Sequence, residues 1–157
     1  MPTWHYSLKL RDESKIAKAV AFDIPVSIKY MREIANSIKG MKLSDAERFL
    51  NNVIKFKQAV PFRRYHGKVS HKRGLAEQFG WPSGRYPVKG AKYVLELLKN
   101  VKANAENKGL NVDKLIITHI AAHRGPTLKR YMPRAFGRAT PKYRRTSHLE
   151  VVVKEVE

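Results

Sequence analysis

Between Asp113 and Glu150 the chain carries no carboxylate, and that gap restricts its fold more than any other feature. Inside the gap, residues 128–148 read LKRYMPRAFGRATPKYRRTSH, with Lys129, Arg130, Arg134, Arg138, Lys142, Arg144 and Arg145 among them. An apolar run lies on either side, Leu115-Ile116-Ile117 before and Val151-Val152-Val153 after. Those runs suit two strands, which makes the basic stretch the far end of a long hairpin. Hairpin loops usually take about 2–5 residues, and a structureless loop beyond about 12–15 is uncommon unless it has a task. This stretch has too few apolar residues to bury itself. Its like charges repel until an anion neutralises them. The expectation is an arm that a polyanion orders.

The overall charge points the same way. Lys and Arg number 32 against 13 Asp and Glu, leaving +19 on 157 residues, about one domain's length. Nucleic acid is the leading partner, through counterion release at phosphates. A membrane surface would want a basic amphipathic helix, whereas here the cations crowd into loops. No apolar run approaches the ~20 residues that span a bilayer, and Met1-Pro2-Thr3-Trp4 has no signal-peptide pattern. The absence of cysteine excludes disulfides and thiolate metal sites, and fits the cytoplasm.

Met1 to Ser14 is expected to be an extended arm. Lys15 to Phe22 suits a strand, although its alanines favour one weakly. Pro25 fits the first position of a helix whose apolar stripe is Ile28, Met31, Ile34, Ala35 and Ile38, with Gly40 past its end. A capping box, Ser44-Asp45-Ala46-Glu47, predicts the start of a second helix with Phe49, Leu50, Val53 and Ile54 on its stripe, ended by Pro61. A third helix is expected from Val88 to Lys108, with Ala91, Val94, Leu95, Leu98, Val101 and Ala105 on one face and Gly109 as its stop. After Asn111-Val112-Asp113 come a strand from Lys114 to His123, the basic arm, and a last strand from Ser147 to Val156. On that strand Leu149, Val151 and Val153 share one face, and Glu150 and Lys154 the other. The expected fold is α+β over residues 1–157: three helices packed on a small three-stranded antiparallel sheet, with a long protruding β-hairpin at about 114–156.

A second basic region is the irregular loop Pro61 to Pro87, at the end of which Gly80, Pro82, Gly84 and Pro87 crowd together. Aromatic residues interleave with Arg63, Arg64, Lys68, Lys72 and Arg73, and no carboxylate lies between Arg48 and Ala76. These cations suit nucleic-acid contact; Trp81 suits either such contact or the core. In the arm, arginine forks match phosphate and stack on bases. Tyr131, Met132, Phe136 and Tyr143, spaced among the charges, argue against a merely solvated loop. Stacking and shape readout favour folded RNA. Composition alone leaves DNA open.

Catalysis and metal binding find little support. His119 and His123 stand four apart, which in a strand is roughly 13 Å, too far for one ion. His66 and His71 lie in a loop with no nearby carboxylate. There is no phosphate-binding Gly loop ending in Lys-Ser/Thr, no GxSxG, and no clustered carboxylate pair. No enzyme activity, cofactor or metal is expected. A metal-dependent nuclease would want several carboxylates together. A free nucleic-acid-binding regulator would carry its basic residues on a recognition helix, and here the helices are ordinary amphipathic ones.

Three segments in order, Gly125-Pro126-Thr127-Leu128-Lys129-Arg130, Pro133-Arg134-Ala135-Phe136-Gly137-Arg138-Ala139 and Arg144-Arg145-Thr146-Ser147-His148, precede a valine-rich strand. Their order and spacing resemble the signature of ribosomal protein L22 of the large subunit. Val60-Pro61-Phe62-Arg63-Arg64-Tyr65, Trp81 and the helix Ala91 to Gly109 resemble the archaeal and eukaryotic branch, L17 in yeast. The end just after the last strand favours an archaeal source. The resemblance implies a structural protein that binds large-subunit rRNA, supports assembly, and lines the polypeptide exit tunnel with its hairpin. It implies rRNA contact for Arg63, Arg64, Lys68, Lys72, Arg73, Arg124, Lys129, Arg130, Arg134, Arg138, Lys142, Arg144, Arg145 and His148. The tunnel-lining tip, within about 130–141, would be Arg130, Met132, Arg134, Phe136, Gly137 and Arg138. The implied partners are rRNA, neighbouring ribosomal proteins including L4 at the constriction, and the nascent polypeptide, with no membrane insertion. Phe136 would face either RNA or nascent chain.

Overall fold

A computed structural model describes residues 4–8 and 13–156. The expected N-terminal arm therefore falls partly outside the described residues. Three strands form the main sheet in the order β1-β7-β4, where β1 is Ile16–Ile24, β4 is Leu115–Leu128 and β7 is Arg144–Glu155. Both neighbours run antiparallel to β7. The helices α1 (Ile28–Ile38), α2 (Leu43–Ile54) and α4 (Val88–Asn107) pack around one hydrophobic cluster on one face of this sheet. This is the expected α+β arrangement, with one short helix added.

The alanines that weaken β1 as a strand are what its position needs. Ala17 and Ala19 are buried against α4, where a larger side chain would hold the helix away. On β4 the register shifts between Ile117 and His119, leaving Thr118 as an extra residue. The bulge resets the alternation, so Leu115, Ile117 and Ile120 all reach the core.

Helix ends differ from expectation where tertiary pairing intervenes. Pro25 is not the first residue of α1, which starts at Ile28 after Ser27. The Val26 N–H bonds Ile24 O at 2.8 Å and Val26 O accepts from Ser147 Oγ at 3.1 Å, tying residues 24–26 into a turn. The capping box does not form either. Lys42 occupies the N-cap without a side-chain bond, and Ser44 lies inside the helix. Lys42 bridges to Ile116, and Ile117 N–H donates to Met41 O at 3.0 Å, so pairing with β4 sets the cap two residues earlier. Gly40 is left-handed at φ 82°, as expected beyond α1. Pro61 does not end α2, which stops at Ile54. Pro61 instead belongs to β2 (Val60–Pro61), paired with β3 (Gly84–Arg85). Helix α4 adds Leu97 to the expected buried face, while Leu95 is only half-buried.

The loop between α2 and α4 is thus partly regular. Besides the β2–β3 pair it contains α3 (Leu75–Phe79), flanked by left-handed Gly74 and Gly80. Gly84 has no room for a side chain: a Cβ there would lie 2.4 Å from Leu75 Cδ2 and 2.6 Å from Val60 O.

Candidate nucleic-acid interface

The hairpin is hydrogen-bonded to its tip. Pairing between β4 and β7 continues to Leu128 and Arg144, and β5 (Tyr131–Pro133) pairs with β6 (Ala139–Pro141). Between the two ladders, Lys142 N–H donates to Arg130 O at 2.6 Å. At the end, Arg134 N–H bonds Arg138 O at 2.8 Å, and Arg138 N–H bonds Ala135 O at 3.4 Å. The central residues of that turn, Phe136 and Gly137, have φ of 56° and 67°. Positive φ at both positions matches the twist of antiparallel strands. Glycine adopts it freely, whereas phenylalanine is strained there. Phe136 is also 94% exposed, so neither packing nor backbone preference explains it.

The hairpin's root is fixed as well. A Cβ on Gly125 would lie 2.4 Å from Thr146 Oγ1, and that hydroxyl donates to Pro126 O at 2.8 Å. Beyond it, residues 128–145 are all exposed. Lys129, Arg130, Arg134, Arg138, Lys142, Arg144 and Arg145 all lie on this projection, with exposed Arg124 at its root. Among the described residues none of them pairs with a carboxylate. Arg134 Nε does bond Thr140 Oγ1 at 3.1 Å. Tyr131 and Tyr143 face each other edge-on at 6.1 Å, and their hydroxyl contact pushes the Tyr143 phenol up.

The second basic surface is held from behind. Glu33 of α1 is 1% exposed, and its carboxylate accepts from three successive backbone N–H groups: Arg63 (3.1 Å), Arg64 (3.0 Å) and Tyr65 (2.9 Å). This arrangement satisfies a buried charge and three loop donors together. The side chains of Arg63 and Arg64 remain exposed, with Arg63 also donating to Phe79 O at 2.6 Å. Lys68 and Arg73 are exposed, and half-buried Lys72 bonds Ser70 Oγ at 3.1 Å. Trp81 is half-buried, donates to Phe62 O at 2.7 Å, and meets His66 edge-on. Sequence reasoning missed Glu33, whose only signal was a carboxylate beside an apolar helical stripe in a chain with an acid-free interval from Arg48 to Ala76.

The outer sheet face carries a second buried carboxylate. Glu150 does point away from the helices, yet it is fully buried. Trp4 Nε1 donates to it at 2.8 Å, Ser7 donates through its N–H and hydroxyl, and His119 Nε2 lies 3.0 Å away. His123 Nε2 stands 3.3 Å from the same oxygen as His119. The two histidines therefore converge, against the strand-spacing expectation, because their side chains lean toward one residue of the neighbouring strand. Burial pushes the Glu150 carboxyl up, but hydrogen bonds from Ser7, Trp4 and His119, with the His123 ring close by, outweigh it and hold the pKa at about 2. No group of three or more side chains among the described residues is arranged to hold a metal. His148 is turned to this cluster too: its ring packs on Trp4 and Phe22, and its Nδ1 accepts from Asp23 N–H at 3.0 Å. Of the residues expected at RNA, it alone has its ring occupied in this way.

A small α+β body with an exposed, acid-free hairpin and a second basic, aromatic loop presents two cationic surfaces that suit a polyanionic partner. The chain belongs to the family described as ribosomal protein L22p/L17e, which matches residues 19–154. It is 69% identical to the large ribosomal subunit protein uL22 of Staphylothermus marinus over 157 residues, covering all of both chains. The uL22 protein of Ignicoccus hospitalis is 61% identical, again over all of both chains. That of Methanocaldococcus jannaschii is 52% identical, over 96% of this chain and 94% of its own. These relatives are archaeal, as the sequence reading expected. No helix among the described residues is long and apolar enough to cross a membrane.

Proposed function

We propose that the chain is a structural constituent of the large ribosomal subunit, that it binds large-subunit rRNA and supports assembly, and that its hairpin lines the polypeptide exit tunnel. One observation carries the reading: a fully exposed hairpin, residues 128–145, holding seven cations and no carboxylate, in a member of this family. From its root at Gly125 to the turn at Phe136 the hairpin spans 11 residues (136 − 125), roughly 36 Å at about 3.3 Å per residue. A projection of that length and charge needs a partner that surrounds it with phosphate. Folded rRNA does so, and the site of action is then the ribosome in the cytoplasm. Residues 1–157 act as one domain: the body and the Pro61–Pro87 loop supply much of the affinity, and the tip, with Arg130, Met132, Arg134, Phe136, Gly137 and Arg138, reaches the tunnel. Neighbouring ribosomal proteins, L4 at the constriction and the nascent chain are its partners there.

Two measurements test this. If about 6–10 phosphates are neutralised, affinity for rRNA falls by roughly 10³–10⁵ between 50 and 200 mM salt. A flat salt response rules out phosphate-driven binding. Removing Met132 to Thr140 leaves both long strands and the body's cations intact. The truncated protein should enter large subunits, widen the tunnel at that depth and alter nascent-chain-dependent stalling. Its exclusion from subunits would make the tip an anchor and refute the division of labour.

A further inference from the structure

Between α1 and the basic loop lies a cleft of about 380 Å³, lined chiefly by Lys29, Tyr30, Phe62, Arg64, Tyr65 and Arg85. Its walls are set by the body. Buried Phe62 stands edge-on to Tyr30 at 5.1 Å and 82°, and Arg85 donates to the Tyr30 hydroxyl at 2.7 Å. Glu33 fixes the backbone of Arg64 and Tyr65 from behind.

Two cations of this cleft, Lys29 and Arg64, are held only by ring contacts, and Arg85 by a ring and a hydroxyl. Among the described residues Lys29, Arg64 and Arg85 have no carboxylate partner. They rest on aromatic rings instead. Lys29 Nζ lies 5.4 Å and Arg64 Cζ 5.8 Å from the centre of Tyr65, and Arg85 Cζ lies 5.9 Å from that of Tyr30. Such contacts are weak at exposed sites. A phosphate offers the same cations stronger, charge-assisted hydrogen bonds. Drawing them off the ring frees an aromatic face, and any nucleobase can stack on such a face. The volume suits one small ligand rather than a helix groove. A duplex presents phosphates here but keeps its base faces stacked inside.

We propose that this cleft receives a single unstacked nucleotide of the RNA, its base against Tyr65 and its phosphate between Lys29, Arg64 and Arg85. The proposal rests on the rRNA-binding reading and specifies what the body recognises: a bulged or looped-out residue rather than helix backbone alone.

The full-length chain is tested against AMP, UMP and ribose 5-phosphate by following tyrosine ring resonances, and against large-subunit rRNA by filter binding. Both nucleotides should bind more tightly than ribose 5-phosphate. Tyr65→Leu should erase that preference and weaken rRNA binding about 5- to 150-fold with an unchanged salt slope, while Tyr65→Phe keeps both. Ultraviolet cross-linking of wild-type large subunits, which needs no variant to fold, should leave a nucleotide adduct on Tyr65. Equal binding of ribose 5-phosphate and AMP overturns the proposal, as does a Tyr65→Leu protein that binds rRNA like wild type, or adducts confined to the hairpin. If wild-type protein shows no salt-dependent rRNA binding, the functional reading itself has failed; if it does and only the tyrosine effects are missing, the cleft proposal alone has failed.

Discussion

The loop from Pro61 to Pro87 and the hairpin end from Leu128 to Arg145 share a surface chemistry rich in arginine, lysine and tyrosine, yet they are held in different ways. The loop curls over a buried carboxylate: Glu33 takes three of its backbone donors, and Phe62, Leu75 and Val60 root it in the core. The hairpin end has no such support. Its order comes from the cross-strand ladder and a turn with two left-handed residues, and its side chains all face outward. Like charge can therefore be concentrated on a surface in two ways. One backs the charged backbone with a buried anion and gives a fixed site. The other spreads charge along a ribbon that must find its counter-charge outside the molecule.

Four perturbations test this contrast, from the largest expected effect to the smallest. Leu98 is fully buried on α4, so Leu98→Ala should cost about 2–5 kcal/mol and lower the thermal midpoint. Hydrogen exchange should quicken across the body and the loop, while residues 130–141, which open locally, keep their rates. An unchanged melt would show that this face of α4 is not core.

Glu33→Gln acts on the loop alone. It removes the charge and one of the two acceptor oxygens, of which Oε2 takes the Arg63 N–H and Oε1 those of Arg64 and Tyr65, for about 1.5–3 kcal/mol. Amides of Arg63, Arg64 and Tyr65 should lose protection and body-mediated RNA affinity should drop, with the tip unaffected. Loss of protection at the tip as well would erase the distinction between the two regions.

Acid probes another buried anion. Glu150 has its folded pKa depressed from the ordinary 4.5 to about 2, so its ionised form stabilises the fold. That contribution is complete above about 4.5 and is lost as pH falls through about 2. In a Trp81→Phe background, Trp4 fluorescence should change across that window as the segment near residue 4 leaves the sheet. In a Glu150→Gln variant this transition should vanish; an unaltered titration would assign it to another group.

The smallest effect is at the tip. Phe136→Gly removes about 1 kcal/mol of left-handed strain, partly offset by glycine's extra freedom when unfolded. Exchange at the Arg134 and Arg138 amides should slow slightly and the melt should stay put. Faster exchange would mean that the phenyl ring stabilises the turn after all.

The sequence by itself determined the α+β class, the three long helices, the two strands of the hairpin and the carboxylate-free stretches, because apolar periodicity and charge spacing are local properties. It also carried the family signature in the order from Gly125 to His148. Tertiary structure decided what depends on groups distant in the chain. Pairing of Lys42 with Ile116 displaced the cap of α2, and the bulge at Thr118 kept Ile120 in the core. Residues 4–7 closed over Glu150, and the carboxylate of Glu33 gathered amides some thirty positions away. A lone acidic residue beside an apolar stripe has the same local signature whether it faces water or a loop's donors; only the fold supplies those donors and makes its burial favourable.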